Sequence, residues 1–210
     1  QEAELERTVD PRKRLDILKR LTQVYRDRDV NPQRAIELYR EILELSPGDV
    51  QASRALTSLY ERAGDHQQVS DLLREQYERS RSPTEHAAIL KRLAELWHHD
   101  LELPDQAIWA CETLLERSPA DREALVRLQQ LLEEQGRYAE LLRALQRELD
   151  QAGNKDAKLK ILRRMARVAE LQLGDEDQAA SIWSELLGLL PGNLEVIDKV
   201  VSLYDASARY

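Results

Sequence analysis

The sequence predicts an all-α solenoid of antiparallel helix hairpins, about five and a half of them, on three observations. The first is composition: Leu, Ala, Glu, Gln and Arg dominate, with no Phe, one Met, and only seven Gly and seven Pro, so strong helix formers fill the chain. The second is spacing, because apolar residues recur with the helical period in short segments separated by Gly, Pro or Asx breaks. The third is a period of 72 residues. Ile17-Leu18-Lys19-Arg20-Leu21 returns as Ile89-Leu90-Lys91-Arg92-Leu93 and as Ile161-Leu162-Arg163-Arg164-Met165. Ala35, Ala107 and Ala179 keep that register, as do Pro47, Pro119 and Pro191, and the cap-type residues Asp10, Ser82 and Asn154.

Each 72-residue unit reads as two helical hairpins, and each predicted helix has a local cause. A helix over 10–28 opens on Asp10, and one over 33–46 ends at the turn that holds Pro47. The helix over 49–63 is capped by Asp49 and ends at Gly64, which suits a left-handed terminus; one over 66–80 follows. Ser82-Pro83-Thr84-Glu85 reads as a capping box with proline at the first helical position, and it opens a helix over 83–99. Pro104 starts the next, over 104–118. Asp121 caps a helix over 121–135 that stops at Gly136, and another covers 137–151. The third unit predicts helices over 155–173, 175–190 and 193–207, the last capped by Asn193.

In this register the hairpins occupy residues 10–48, 49–81, 82–120, 121–153 and 154–192 of a single solenoid spanning 1–210. Residues 3–7 resemble 147–151, so residues 1–9 read as the tail of a preceding repeat. Arg209-Tyr210 align with Arg137-Tyr138, which makes 193–210 the first helix of a truncated repeat and the chain a segment of a longer array.

The first helices carry Leu18-x2-Leu21-Thr22-x2-Tyr25, Leu90-x2-Leu93-Ala94-x2-Trp97 and Leu162-x2-Met165-Ala166-x2-Ala169. The second helices carry Ala35-x3-Tyr39 with Pro47, Ala107-x3-Cys111 with Pro119, and Ala179-x3-Trp183 with Pro191. This pattern resembles the tetratricopeptide repeat (TPR), whose small residues let a partner helix approach while large ones fill the gaps beside it. The alternate hairpins depart from it: Val69 and Leu141 stand where the family has alanine, and Arg81 and Gly153 where it has proline. The resemblance implies a right-handed superhelix with the first helices lining a concave face, of the kind found in long bacterial arrays, and a scaffold or adaptor that binds other proteins. It is specific for fold and not for partner.

On that implied concave face the exposed stripe holds Lys19, Gln23 and Arg26; then Arg54; then Lys91, Glu95 and His98; then Arg163 and Arg167. One column, Lys19, Arg54, Lys91, Val126 and Arg163, is basic at four of its five positions, and a row of cations in a net-acidic protein can steer and hold an acidic segment of a partner. The same residues are also what a solvated helix face carries, paired with neighbouring carboxylates. The asparagines that clasp a chain-terminal carboxylate in some family members have no counterpart at these positions.

Other functions find less support. A formal charge of −8 argues against nucleic acid as partner. No apolar run reaches the ~20 residues that membrane insertion needs. Cys111 is the single cysteine, so there is no disulfide framework or multi-cysteine metal site. His98 and His99 diverge by about 100° on a helix and read as solvated helix-end residues, not metal ligands. Trp97, Trp109 and Trp183 read as interhelical packing residues, Trp109 least so because Glu37 and Ser181 share its register. No phosphate-binding loop, nucleophile elbow or paired His/Glu motif occurs; no catalytic residue and no cofactor is expected. The expected partner is a protein or peptide, with self-association and a substrate-recruiting arm of an enzyme whose catalytic domain lies elsewhere as alternatives. The cytoplasm is the expected compartment, with the periplasm the alternative.

Overall fold

A computed structural model describes residue 5, residues 10–28 and residues 31–207, with side chains at 5, 10–25 and 31–205. The described residues form helices and no strand: α1 Pro11–Arg28, α2 Pro32–Leu45, α3 Val50–Ala63, α4 His66–Arg79, α5 Pro83–His99, α6 Pro104–Arg117, α7 Arg122–Glu134, α8 Tyr138–Asp150, α9 Lys155–Arg167, α10 Glu176–Leu189 and α11 Leu194–Ser207. Most starts are caps visible in the sequence. Asp49 accepts a hydrogen bond from the Ala52 N–H at 2.9 Å, Asp121 from Ala124 at 3.1 Å and Asn193 from Val196 at 3.1 Å. Gly64 and Gly136 sit at φ 70° and 66°, the left-handed conformation a side chain resists.

Two expectations are corrected. The continuous helix over 155–173 is instead α9 followed by a wider π-turn, Val168–Leu173, ended by Gly174 at φ 64°. The Asp175 N–H reaches back six residues to the Ala169 carbonyl at 3.0 Å, as the Leu103 N–H reaches the Trp97 carbonyl one period earlier. There Glu102, the register partner of Gly174, takes φ 53° without being glycine. The capping box at Ser82 also differs. The Glu85 N–H meets Ser82 Oγ at 3.4 Å, but the Glu85 carboxylate accepts from Ser80 Oγ at 2.6 Å rather than from the Ser82 N–H, which donates to Ser80 Oγ at 3.1 Å.

The chain divides into two compact units, residues 1–89 and 90–210, with the boundary inside α5. In the first unit α1 packs on α2, α2 on α3 and α3 on α4, each joined by a short turn that reverses direction. Leu18, Leu38, Ile42 and Leu73 are sealed between them, and Ala35 and Ala52 allow the close approach. In the second unit α6 through α11 pack each on the next, with the π-turn against α8 and α10. Leu131, Leu141, Leu145, Leu162 and Leu186 fill this core beside Ala107, Ala166 and Ala179. Each fully buried leucine contributes about 1.5–3 kcal/mol relative to exposure.

Buried polar groups are mostly satisfied. The Thr22 and Thr57 hydroxyls donate to the Lys19 and Ser53 carbonyls, both at 2.9 Å. The Gln129 amide donates to Glu148 at 2.8 Å and accepts from Arg164 at 2.9 Å. Trp183 Nε1 is buried without a hydrogen-bond partner, which costs about 1–3 kcal/mol.

Candidate binding surface

The first helix of each hairpin presents one face to the core and the predicted polar stripe away from it. In the first unit Lys19, Gln23 and Arg54 line one groove between α1 and α3, of about 660 Å³, floored by Tyr39 and Ile42 of α2 and by Ala52. Lys19 Nζ lies 2.6 Å from the Asp49 carboxylate, the group that caps α3. This hydrogen bond, aided by the Ala52 N–H and opposed by burial, holds the Asp49 carboxyl below the usual carboxylate range. Arg54 is exposed and makes no ion pair among the described residues. The side chain of Arg26 lies outside the described residues.

One period later the equivalent lysine has two carboxylate partners. Lys91 Nζ contacts Asp121, the α7 cap, at 3.0 Å and Glu123 at 2.7 Å. Its ammonium is held above its ordinary range, first by Glu123 and then by Asp121. Burial pushes the Asp121 carboxyl upward, but the Ala124 N–H and Lys91 together outweigh it and hold it low. Lys91, Ala94, Cys111, Leu114 and Arg127, the register partners of Lys19, Thr22, Tyr39, Ile42 and Ala55, enclose only about 10 Å³. Arg127 is 23% exposed, its guanidinium 3.8 Å from Glu95, and near enough to Cys111 for its charge to act on the thiol. Burial nonetheless pushes that thiol up to about 12.

His98 is not solvated as its sequence position suggests. Its side chain is 14% exposed, and Nε2 lies 2.8 Å from Glu134 of α7. Gln130 foremost, and then His98, hold the Glu134 carboxyl low against its burial. His99 stacks beside His98 with ring centroids 4.2 Å apart. Together with Val126, which is 52% exposed, and Gln130 they line a shallow cleft of about 450 Å³. No group of His, Cys, Asp and Glu able to hold a metal occurs among the described residues. Trp109 is 46% exposed, with its ring 6.2 Å from that of Trp97.

In the third period Asn193 replaces the aspartate cap. Arg163 and Arg167, one turn apart on α9, are exposed and make no ion pair among the described residues, whereas Arg164 between them is bonded to Gln129 and, at 2.7 Å, to Glu133. The structure therefore sorts the stripe into engaged cations, Lys19 and Lys91, and unengaged ones, Arg54, Arg163 and Arg167. Reading the stripe alone misses the aspartates opposite it. Their signal is present, since Lys19 precedes Asp49, Lys91 precedes Asp121 and Arg163 precedes Asn193 by one common interval.

No helix among the described residues is long and apolar enough to cross a membrane. No protein-family model and no curated protein sequence matches the chain. Solved structures do share its fold. A structure of Naa15/Naa10 bound to HypK-THB is 21% identical with a TM-score of 0.50 over 88% of this chain, which spans 28% of that one. A tetratricopeptide repeat protein from Parabacteroides merdae ATCC 43184 is 18% identical over 92% of this chain and 73% of its own, with a TM-score of 0.46. YrrB, a TPR protein with an unusual peptide-binding site, is 17% identical over 94% of this chain and 95% of its own, also at 0.46. The 72-residue register, the helix hairpins and the fold shared with the Naa15/Naa10 structure together show an all-α, TPR-like repeat protein.

Proposed function

We propose that the chain is a non-catalytic scaffold that docks a peptide or a folded protein, one with an acidic segment, on the polar stripe of its first helices. One observation carries this reading: Arg54 in the first unit, and Arg163 and Arg167 in the second, are exposed cations without a counter-ion among the described residues, in a protein of net charge −8. Lys19 and Lys91 act instead as ties between successive hairpins. The Naa15/Naa10 structure, bound to HypK-THB, offers a precedent for this fold inside a protein assembly.

The test compares partner capture by the wild-type chain and by a variant with Arg54, Arg163 and Arg167 all changed to Glu. Capture should fall at least tenfold while the helical circular dichroism and the Tm hold. Equal capture by the two, or a wild-type chain that captures nothing, would sink the reading.

Self-association is a second reading, favoured by α11. Val201 and Tyr204 are 52% and 54% exposed there, whereas their register partners Gln129 and Leu132, and Thr57 and Tyr60, are all buried. Sedimentation velocity over a range of concentrations decides it, since a constant monomer excludes it.

A further inference from the structure

We infer that α6 carries a docking surface of its own, apart from the polar stripe of the first helices, and that it takes an arginine of a basic partner segment on the Trp109 indole beside Glu112 and Glu116. Side chains spaced four, three and four residues apart lie on one face of a helix, so Asp105, Trp109, Glu112 and Glu116 form a single row along α6. Trp109 is 46% exposed and the Asp105 side chain 90% exposed, while Glu116 is exposed and Glu112 half-buried. The counterparts of this row are Gln33, Glu37, Arg40 and Glu44 on α2, and Asp177, Ser181, Ser184 and Gly188 on α10. Neither has an aromatic, and neither has three carboxylates.

The core positions of α6 are filled without Trp109, by residues such as Ala107, Ile108, Ala110 and Cys111. Its indole is nonetheless held in place. The buried Trp97 ring lies against it, with centroids 6.2 Å apart and planes at 57°, a favourable spacing for a tilted aromatic pair. A large aromatic that is both fixed and exposed offers contact area with little side-chain entropy left to lose, as interface hot spots do. Charge then selects the occupant. Arg137 of α8 engages Asp105 at 3.0 Å and Glu140 at 2.6 Å, and its charge also acts on Glu112. Glu112 and Glu116 form no ion pair among the described residues. Two carboxylates one turn apart thus stand next to the indole in want of a direct cationic contact. A guanidinium lies flat on an indole and still offers its N–H fork to carboxylates at its edge, which a compact ammonium does less well.

The experiment uses fluorescence anisotropy with a fluorescein-labelled, C-terminally amidated peptide of alternating Arg and Gly, compared with one that has citrulline, uncharged and nearly the same shape, for every Arg. The wild-type chain should bind the Arg peptide at least tenfold more tightly. Trp109→Ser, the residue that the third period has at this place, should weaken that binding at least fivefold while leaving every charge in place, which separates the site from the general attraction of an acidic chain for cations. Glu112→Gln with Glu116→Gln should weaken it at least fivefold too, whereas Glu176→Gln with Glu185→Gln, the same change of charge on α10, should leave it within twofold. Circular dichroism establishes that each variant is folded, and the α6 glutamine pair decides should the serine variant unfold. A folded Trp109→Ser chain that binds the Arg peptide as the wild type does overturns the inference, as do an α6 glutamine pair no weaker than the α10 pair and a wild-type chain that binds both peptides alike. None of these variants touches Arg54, Arg163 or Arg167, so the result bears on α6 alone.

Discussion

Lys91 reaches from α5 to the carboxylate that caps α7, 3.0 Å from Asp121, so one aspartate both starts a helix and anchors the helix of the preceding hairpin. Lys19 and Asp49 repeat the arrangement at 2.6 Å. Arg163 and Asn193 hold the corresponding places without the charge.

Restoring that charge should stabilise the protein. Asn193→Asp keeps the cap, since the two residues cap equally well, and adds a counter-ion for Arg163. An exposed pair is worth about 0.2–1 kcal/mol, so Tm should rise by a few degrees at most and the gain should shrink in high salt. The converse change, Asp121→Asn, should lose a similar amount. Thermal melts at low and high ionic strength check both.

The carboxyls of Asp49, Asp121, Glu134 and Glu140 are all held below their ordinary values, Glu140 chiefly by Arg137. A lowered folded pKa stabilises above the unfolded value and is lost as pH falls through the folded one. Stability should therefore be level through neutral pH and decline below about pH 4. Lys91, held high, acts at the other end: its contribution is complete below its unfolded value and disappears as pH rises through the raised folded one. Urea melts from acid to neutral pH should show the acid decline, smaller in Asp49→Asn.

Glu102 at φ 53° occupies the place that glycine holds as Gly174. Glu102→Gly should stabilise by about 1 kcal/mol by removing a left-handed conformation that costs a side chain roughly 1–2 kcal/mol. Gly174→Ala should destabilise by about the same amount. Chemical denaturation of the two variants measures both signs.

Ala166 is fully buried in α9. Ala166→Leu should cost about 1–3 kcal/mol through overpacking, and Leu145→Ala about 2–5 kcal/mol through the cavity it leaves. Equilibrium unfolding checks each, and a neutral Ala166→Leu would show looser packing than the structure has.

The Cys111 thiol, buried and pushed up to about 12, should resist iodoacetamide at pH 8 in the native protein and react once denaturant opens the second unit. Its rate of alkylation then reports opening of that unit.

Much of this was legible in the sequence because its causes are local. Asp49, Asp121 and Asn193 mark helix starts, Gly64 and Gly136 mark ends, and the alanines at one register mark close packing. The unread part depends on which residues the stacking brings together. That Lys19 meets Asp49, that His98 is covered beside Glu134, and that the turn after α9 widens into a π-turn are set by distances between helices, which the period of apolar residues does not specify.

The contrast between Ala55 and Arg127 reaches beyond the single groove. Both occupy one register position, and the backbone accommodates either without rearrangement of its helices. A substitution at this one position changes how much side chain stands between neighbouring first helices, so the width of that row can differ from repeat to repeat while the length of the repeat stays fixed.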